Sequence, residues 1–225
     1  MLSVESAFVQ FLHTLVGTSG VIDWFAIFFA EYIPYLAGGL GLFLMLRWGT
    51  LKERAERLVF AALVLVLGRG FISEMFYFFA TRPRPFTAFG FTPLFSEAGS
   101  AFPSRHAVLL FSLAAIMFTV KRSYGWWFTV LAVVVGAARV YAGVHYPTDI
   151  LGGAAIAAVA FFAVRALVNY HYRKHRSSVS SEAESINEET IEKELQEEKQ
   201  IEDLEKGEEI IEDIKEVAEE IEEAS

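Results

Sequence analysis

The sequence predicts an all-α membrane helix bundle, with about five spanning helices, an interfacial helix before them and an acidic tail after them. Three observations predict it. Five apolar stretches, residues 21–48, 55–80, 106–120, 124–141 and 147–170, approach the roughly 20 residues that a helix needs to cross a hydrocarbon core about 30 Å thick. Basic residues gather after the first, third and fifth stretches, as they would if the chain returned repeatedly to one face. The composition also changes abruptly: residues 1–176 carry 15 Lys and Arg against 8 Asp and Glu, a net of +7, whereas residues 177–225 carry 4 against 20, a net of −16. The hydrophobic average of 54% and the net charge of −9 therefore describe neither part, and two domains are expected, a membrane-embedded 1–176 and a tail 177–225.

The elements follow in order. Residues 1–20 lack a basic start and a long apolar run, so they do not read as a cleavable signal; Val4, Phe8, Phe11, Leu12 and Leu15 recur at helical spacing and predict an amphipathic helix in the interface. Of the spans, the third is shortest, which fits a start inside a polar pocket instead of in lipid. Arg69 and Glu74 fall within the second span at a separation of five, poor for a direct helical pair, so each is expected to meet another helix, with Glu31 a partner for Arg69. Beyond a Ser-rich linker, Ile191, Leu195, Ile201, Leu204, Ile211, Ile214, Ala218 and Ile221 lie near helical spacing, interrupted at Gly207. They predict an amphipathic hairpin or coiled coil, able to bind a cytosolic partner or to self-associate; a solvated acidic tail is the plainer alternative.

Orientation comes from the same basic residues. Arg47, Lys52, Arg54 and Arg57, then Lys121 and Arg122, then Arg173, Lys174 and Arg176 mark the cytoplasmic side. This predicts a multi-pass protein of the cell membrane with its C-terminus in the cytoplasm, and with residues 81–105 and 140–146 outside. Arg82, Arg84, Arg105 and Arg139 then lie outside, against the topological rule. Their planar donor forks match oxyanions; headgroup anchoring is the bland alternative. With no cysteine there is no disulfide, thiolate metal site or nucleophilic thiol.

Three stretches at outer helix ends carry the chemistry: Arg82-Pro83-Arg84-Pro85, then Pro103-Ser104-Arg105-His106, then Arg139 to Asp149 with His145 between. Two histidines allow one imidazole to attack phosphorus and the other to protonate the leaving oxygen. Asp149, four residues after His145, is placed to orient its ring, which makes His145 the nucleophile and His106 the acid. Arg84 and Arg139 suit the equatorial oxygens, with Ser104 and a helix N-terminus adding donors. No divalent metal or cofactor is required, and no nucleic-acid partner is expected. Each histidine alone would read as a helix cap or a headgroup contact.

In these motifs the chain resembles the type 2 phosphatidic acid phosphatase (PAP2) family over residues 21–170. The pattern Ser-Arg-x5-His-x3-Asp is matched by Arg139, His145 and Asp149, with Ala138 for Ser; Pro-Ser-Gly-His by Pro103, Ser104 and His106, with Arg105 for Gly; and Lys-x6-Arg-Pro by Arg84 and Pro85, with Tyr77 at the Lys position. The resemblance implies a phosphohistidine on His145, leaving-group protonation by His106, orientation by Asp149, and phosphate binding by Arg84, Arg139 and Ser104. Tyr77 keeps a donor but loses the lysine's charge, which Arg105 is expected to replace. The implied substrate is a membrane lipid phosphate or diphosphate, a polyprenyl diphosphate above all. The rival is a catalytically impaired scaffold whose tail recruits a cytosolic protein. A transporter would call for an inverted repeat, and none is found in the sequence.

Overall fold

In the computed structural model the described residues, 4–178 with Lys193 and Leu195, form helices joined by turns and loops. Helix α1 (Val4–Thr14) leads to α2 (Gly20–Ile27), which continues through a π-helical turn (Phe28–Tyr32) into α3 (Ile33–Arg47). Helix α4 (Leu51–Leu65) runs through a second π turn (Val66–Ile72) into α5 (Ser73–Phe79). The short α6 (Pro85–Phe89), α7 (Arg105–Val120), α8 (Arg122–Tyr141) and α9 (Pro147–Ser178) complete the order. The chain divides into a compact unit, Met1–Leu167, and a second, Val168–Ser225, whose described residues are helical. Apart from Lys193 and Leu195, the tail helices predicted between Ile191 and Ile221 lie outside the described residues.

Among the described residues, four helical stretches are long and apolar enough to cross a membrane: Gly20–Arg47, Leu51–Phe79, Arg122–Tyr141 and Pro147–Ser178. The third expected span corresponds to α7, whose 16 residues reach only about 24 Å. It is buried among its neighbours. Val108, Leu110, Ile116 and Met117 are at most 1% exposed, and α7 packs against α3, α4 and α8. The outward faces carry Phe78, Phe79, Trp127, Leu151 and Phe162, all exposed, an apolar surface that lipid solvates and water would not. The chain is a multi-pass membrane protein.

The two π turns change which side chains meet. A turn closed by i→i+5 bonds brings residues five apart toward one face. Arg69 Nη1 accordingly donates to Glu74 Oε1 at 2.7 Å, so the expectation that a separation of five is poor for a direct pair is corrected, and Glu31 is not the partner of Arg69 but lines a cavity elsewhere. In the first π turn, Ala30 precedes Pro34 by four; proline has no N–H, so the Ala30 carbonyl is left free for a donor from outside the helix.

Three local devices aim the outer ends of the helices. Ser104 caps α7, its Oγ accepting from Ala107 N, while Ser104 N donates to Asp149 O at 3.1 Å. Helix α9 can approach α7 this closely because residue 153 is glycine: a Cβ there would stand 2.7 Å from the Ala107 Cβ and 2.9 Å from the Ser104 carbonyl. Between α8 and α9, Gly143 adopts φ +79°, the left-handed conformation that turns the chain back, with Phe91 packed over it. Helix α1 does more than the interfacial helix expected of it. Val9 is fully buried against Ala101, Val140 and Tyr146, worth about 1.5 kcal/mol, while Val4 and Phe11 face outward.

Candidate active site

Backbone groups hold Arg84, Arg139, His145 and Asp149. Arg84 stands immediately before α6, where Pro85 opens the helix, and is buried. Its Nε donates to Gly99 O at 3.1 Å, Nη1 to Val144 O at 3.0 Å and Nη2 to Ala98 O at 3.2 Å. Arg139, in the last turn of α8 and 1% exposed, donates from Nη1 to the Ala30 carbonyl at 3.0 Å, the acceptor that Pro34 leaves free. Two guanidiniums are thus held side by side by carbonyl groups from three segments of the chain, residues 98–99, 144 and 30. Their like charges oppose this placement.

His145 lies on the turn between α8 and α9, 1% exposed. Its Nδ1 is 2.9 Å from the Ala101 carbonyl, which fixes the hydrogen on Nδ1 and leaves the lone pair on Nε2. Nε2 faces Arg84 Nη1 at 3.4 Å and Arg139 Nη2 at 3.5 Å. Asp149 was expected to accept from this ring; its Oδ2 stands farther, at 3.5 Å from Nδ1, and takes the Tyr146 N–H at 2.7 Å instead. Its Oδ1 pairs with Arg82 Nη1 at 2.7 Å. Asp149 therefore holds the turn that carries His145, and the Ala101 carbonyl is the nearer ring acceptor. Arg82 extends this network to Glu5 at 2.8 Å and lies over the Tyr146 ring at 3.9 Å, so α1 is tied to the site.

Sequence reasoning missed the residue at the centre. The Glu97 carboxylate pairs with Arg139 Nη2, lies 3.3 Å from Arg84 Nη1 and 3.8 Å from His145 Nε2, and its other oxygen is 3.9 Å from His106 Nδ1. One signal could have found it: Glu97 is the sole acidic residue between Glu74 and Asp149, in the connection that also bears Arg82, Arg84 and Arg105. His106 Nδ1 is buried and has no hydrogen-bond partner, and its side chain lines a cavity of about 290 Å³ with Glu31, Tyr32, Tyr35, Phe95, Ser96, Glu97 and Arg139.

Electrostatics favour a neutral nucleophile among fixed cations. Burial, reinforced by Arg139 and Arg84, holds the His145 imidazole below its ordinary value, against an opposing pull from Asp149. Burial pushes the Glu97 carboxyl up, but Arg139, His145 and Arg84 outweigh it and hold it below the usual carboxylate range. An unprotonated Nε2 aimed at a space bounded by two arginines and a second imidazole can attack an electrophilic centre bearing negative oxygens.

The family model described as the PAP2 superfamily matches residues 58–173, just over half of the chain. The chain belongs to the PAP2 superfamily. It is a membrane lipid phosphate phosphatase. It is 30% identical over 152 residues to the bacitracin transport permease protein BcrC of Bacillus licheniformis, covering 64% of this chain and 71% of that one. It is 28% identical over 154 residues to the undecaprenyl-diphosphatase BcrC of Bacillus subtilis (strain 168), covering 67% and 77%. In structure it is similar to the LpxE crystal structure from Aquifex aeolicus, with a TM-score of 0.58 at 23% identity over 72% of this chain and 94% of that one, a likeness of fold.

Against the superfamily's three motifs, the structure brings Arg84, Arg139, His145 and His106 to one carboxylate and sets Asp149 directly behind His145. Ser104 is buried, its oxygen engaged in capping α7. Two of the expected phosphate ligands lie aside. Arg105 Nη1 is 3.6 Å from Glu74, and its guanidinium lies over the Tyr77 ring at 4.8 Å; Tyr77 in turn donates to the Ala98 carbonyl at 3.3 Å.

Proposed function

We propose that the protein hydrolyses a polyprenyl diphosphate at the outer leaflet of the cell membrane through a phosphohistidine. His145 Nε2 attacks the terminal phosphorus, the bond from phosphorus to the bridging oxygen breaks, and His106 gives that oxygen a proton as the lipid monophosphate departs. Water then attacks the phosphohistidine, returns a proton to His106 and releases inorganic phosphate. Arg84 and Arg139 bind the equatorial oxygens, where charge is spread in the transition state. Ser104 contributes through the N-terminus of α7 that it caps, Asp149 keeps the His145 turn in place, and Arg105 and Tyr77 brace the segment around Ala98.

The observation that carries this reading is the convergence of both imidazoles and both buried guanidiniums on one carboxylate, a planar oxyanion at the position a phosphoryl group would take. A lipid is favoured by a second cavity, about 470 Å³, lined by Trp24, Ile27, Phe28 and Tyr32; Tyr32 also lines the first. An isoprenoid or acyl chain on this aromatic ladder would lead its headgroup toward His106. Similarity to an undecaprenyl-diphosphatase favours the diphosphate. The basic turns at Arg47 to Arg57 and at Lys121 and Arg122 favour the outward orientation, as do five spans with α7 counted among them.

The test is phosphate release in detergent, with a chelator present, from undecaprenyl diphosphate, phosphatidylglycerol phosphate and phosphatidic acid. The diphosphate is expected to be the best substrate, and His145→Ala to lose at least a thousandfold in kcat. Activity that survived His145→Ala, or that vanished with the chelator, would overturn the mechanism; a preference for either of the other lipids would overturn the substrate.

A further inference from the structure

We propose that Glu97 is a specificity-determining residue, an internal competitor whose carboxylate occupies the phosphate cradle until a more highly charged anion displaces it. The proposal rests on the reading of Arg84, Arg139, His145 and His106 as that cradle. A phosphorus atom poised for attack by His145 would lie roughly 3–3.5 Å from Nε2. Glu97 Oε2 stands 3.8 Å from the same nitrogen, paired with Arg139 and 3.3 Å from Arg84. The carboxylate and a bound phosphoryl group cannot share this space, so binding one requires the other to leave.

The surroundings let Glu97 leave without dismantling the cradle. Arg84 keeps its bonds to the carbonyls of Ala98, Gly99 and Val144, and Arg139 keeps Ala30. Only the Glu97 side chain has to swing, into the cavity it already lines. That cavity also carries Glu31, and the like charge drives the displaced carboxylate back. Two consequences follow. Singly charged anions cannot hold the site against a tethered carboxylate, whereas a phosphoryl dianion can. After turnover, the returning carboxylate competes with inorganic phosphate and hastens its release.

The experiment compares wild type with Glu97→Gln in detergent, measuring inhibition by inorganic phosphate and by orthovanadate, KM for the lipid substrate, and the rise in melting temperature on adding orthovanadate. The neutral side chain is expected to lower both inhibition constants at least tenfold, to lower KM, and to give a larger orthovanadate-induced rise than the wild type shows. Inhibition constants and temperature rises equal to those of the wild type, or weaker binding in the variant, would overturn the proposal. Should Glu97→Gln not purify, Glu97→Asp is read in the same way: its shorter reach is expected to lower the inhibition constants at least threefold, and unchanged or higher values overturn it. The melting measurement needs no turnover. A larger rise in the variant alongside a wild type that cleaves no lipid would sink the proposed reaction and leave the competitor standing; an active wild type with equal rises would do the reverse.

Discussion

Arg84 and Arg139 meet around Glu97, and Arg69 and Arg105 meet around Glu74, so the chain contains two clusters of the same composition. In the first, the arginine side chains are 2% and 1% exposed, and carbonyls of the folded backbone accept from three nitrogens of Arg84 and one of Arg139. In the second they are 35% and 30% exposed and Glu74 is 41% exposed, with the ring of Tyr77 as the further contact of Arg105. Residue type does not separate the clusters; burial and fixation do. A guanidinium already locked by carbonyls needs no reorganisation when an oxyanion arrives, and in a poorly solvated site each of its donors counts for more. The second cluster is held by its own ion pairs and the Tyr77 ring, with Arg69 and Glu74 in the second span, and so lacks that scaffold of carbonyls.

The largest effect should come from breaking the buried cluster. Arg139→Ala and Arg84→Ala are each expected to lower kcat/KM for the lipid substrate by about a hundredfold to a thousandfold, the scale of losing a fixed donor to transition-state charge. Purified variants with unchanged melting temperature and less than a tenfold loss would show that the cradle lies elsewhere.

A middle-sized effect concerns pH. The site needs His145 unprotonated, and its pKa is depressed by burial, Arg139 and Arg84 against the pull of Asp149. Neutral imidazole therefore persists below the ordinary value near 6.5, and the acid limb of a plot of kcat/KM against pH is expected below that value. Arg84→Gln removes one depressing charge, so the limb should move toward higher pH. The stability linked to this group has the same sign: a depressed pKa contributes stability at neutral pH that is lost as pH falls through the folded-state value. An acid limb above 6.5, or one that Arg84→Gln moves downward, would contradict the arrangement.

What the sequence makes legible divides along similar lines. Apolar runs and basic flanks reveal the spans because lipid imposes their length and composition on contiguous residues. Motif spacing reveals Arg84, His106, Arg139, His145 and Asp149 for the same reason, since each lies at a helix end whose neighbours set its place. Three features escape. The π turns insert one residue into a helical period without altering composition, so neither the Arg69–Glu74 pair nor the turn of Glu31 toward the cavity can be counted from an α-helical wheel. The Glu5–Arg82 tie joins residues 77 apart and exists only after folding. Glu97 sits in a connection without periodicity, where its one mark is to be the sole carboxylate between Glu74 and Asp149. The short α7 escapes in a milder way: its apolar sequence suits lipid or protein burial equally, and the surrounding helices decide.

The smallest effect is expected where the sequence suggested the most specific compensation. Arg105 stands where the superfamily motif has glycine, beside His106, and Tyr77 stands where it has lysine, so a transferred positive charge is an economical reading. The geometry gives Arg105 other work. It stacks on Tyr77 and faces Glu74, while Tyr77 donates to the carbonyl of Ala98, which also receives Arg84. Its influence on the cradle thus passes through one hydrogen bond at 3.3 Å and an exposed pair. Arg105→Gly is accordingly expected to lower kcat/KM no more than about threefold, the scale of an exposed ion pair worth under 1 kcal/mol. Arg69→Gln should do less, since Arg105 remains to face Glu74. The decisive comparison is with Arg84→Ala under the same conditions. A loss for Arg105→Gly that approached the hundredfold expected of Arg84 would mean that its guanidinium leaves Glu74 and enters the site with substrate, restoring it as the missing lysine's charge.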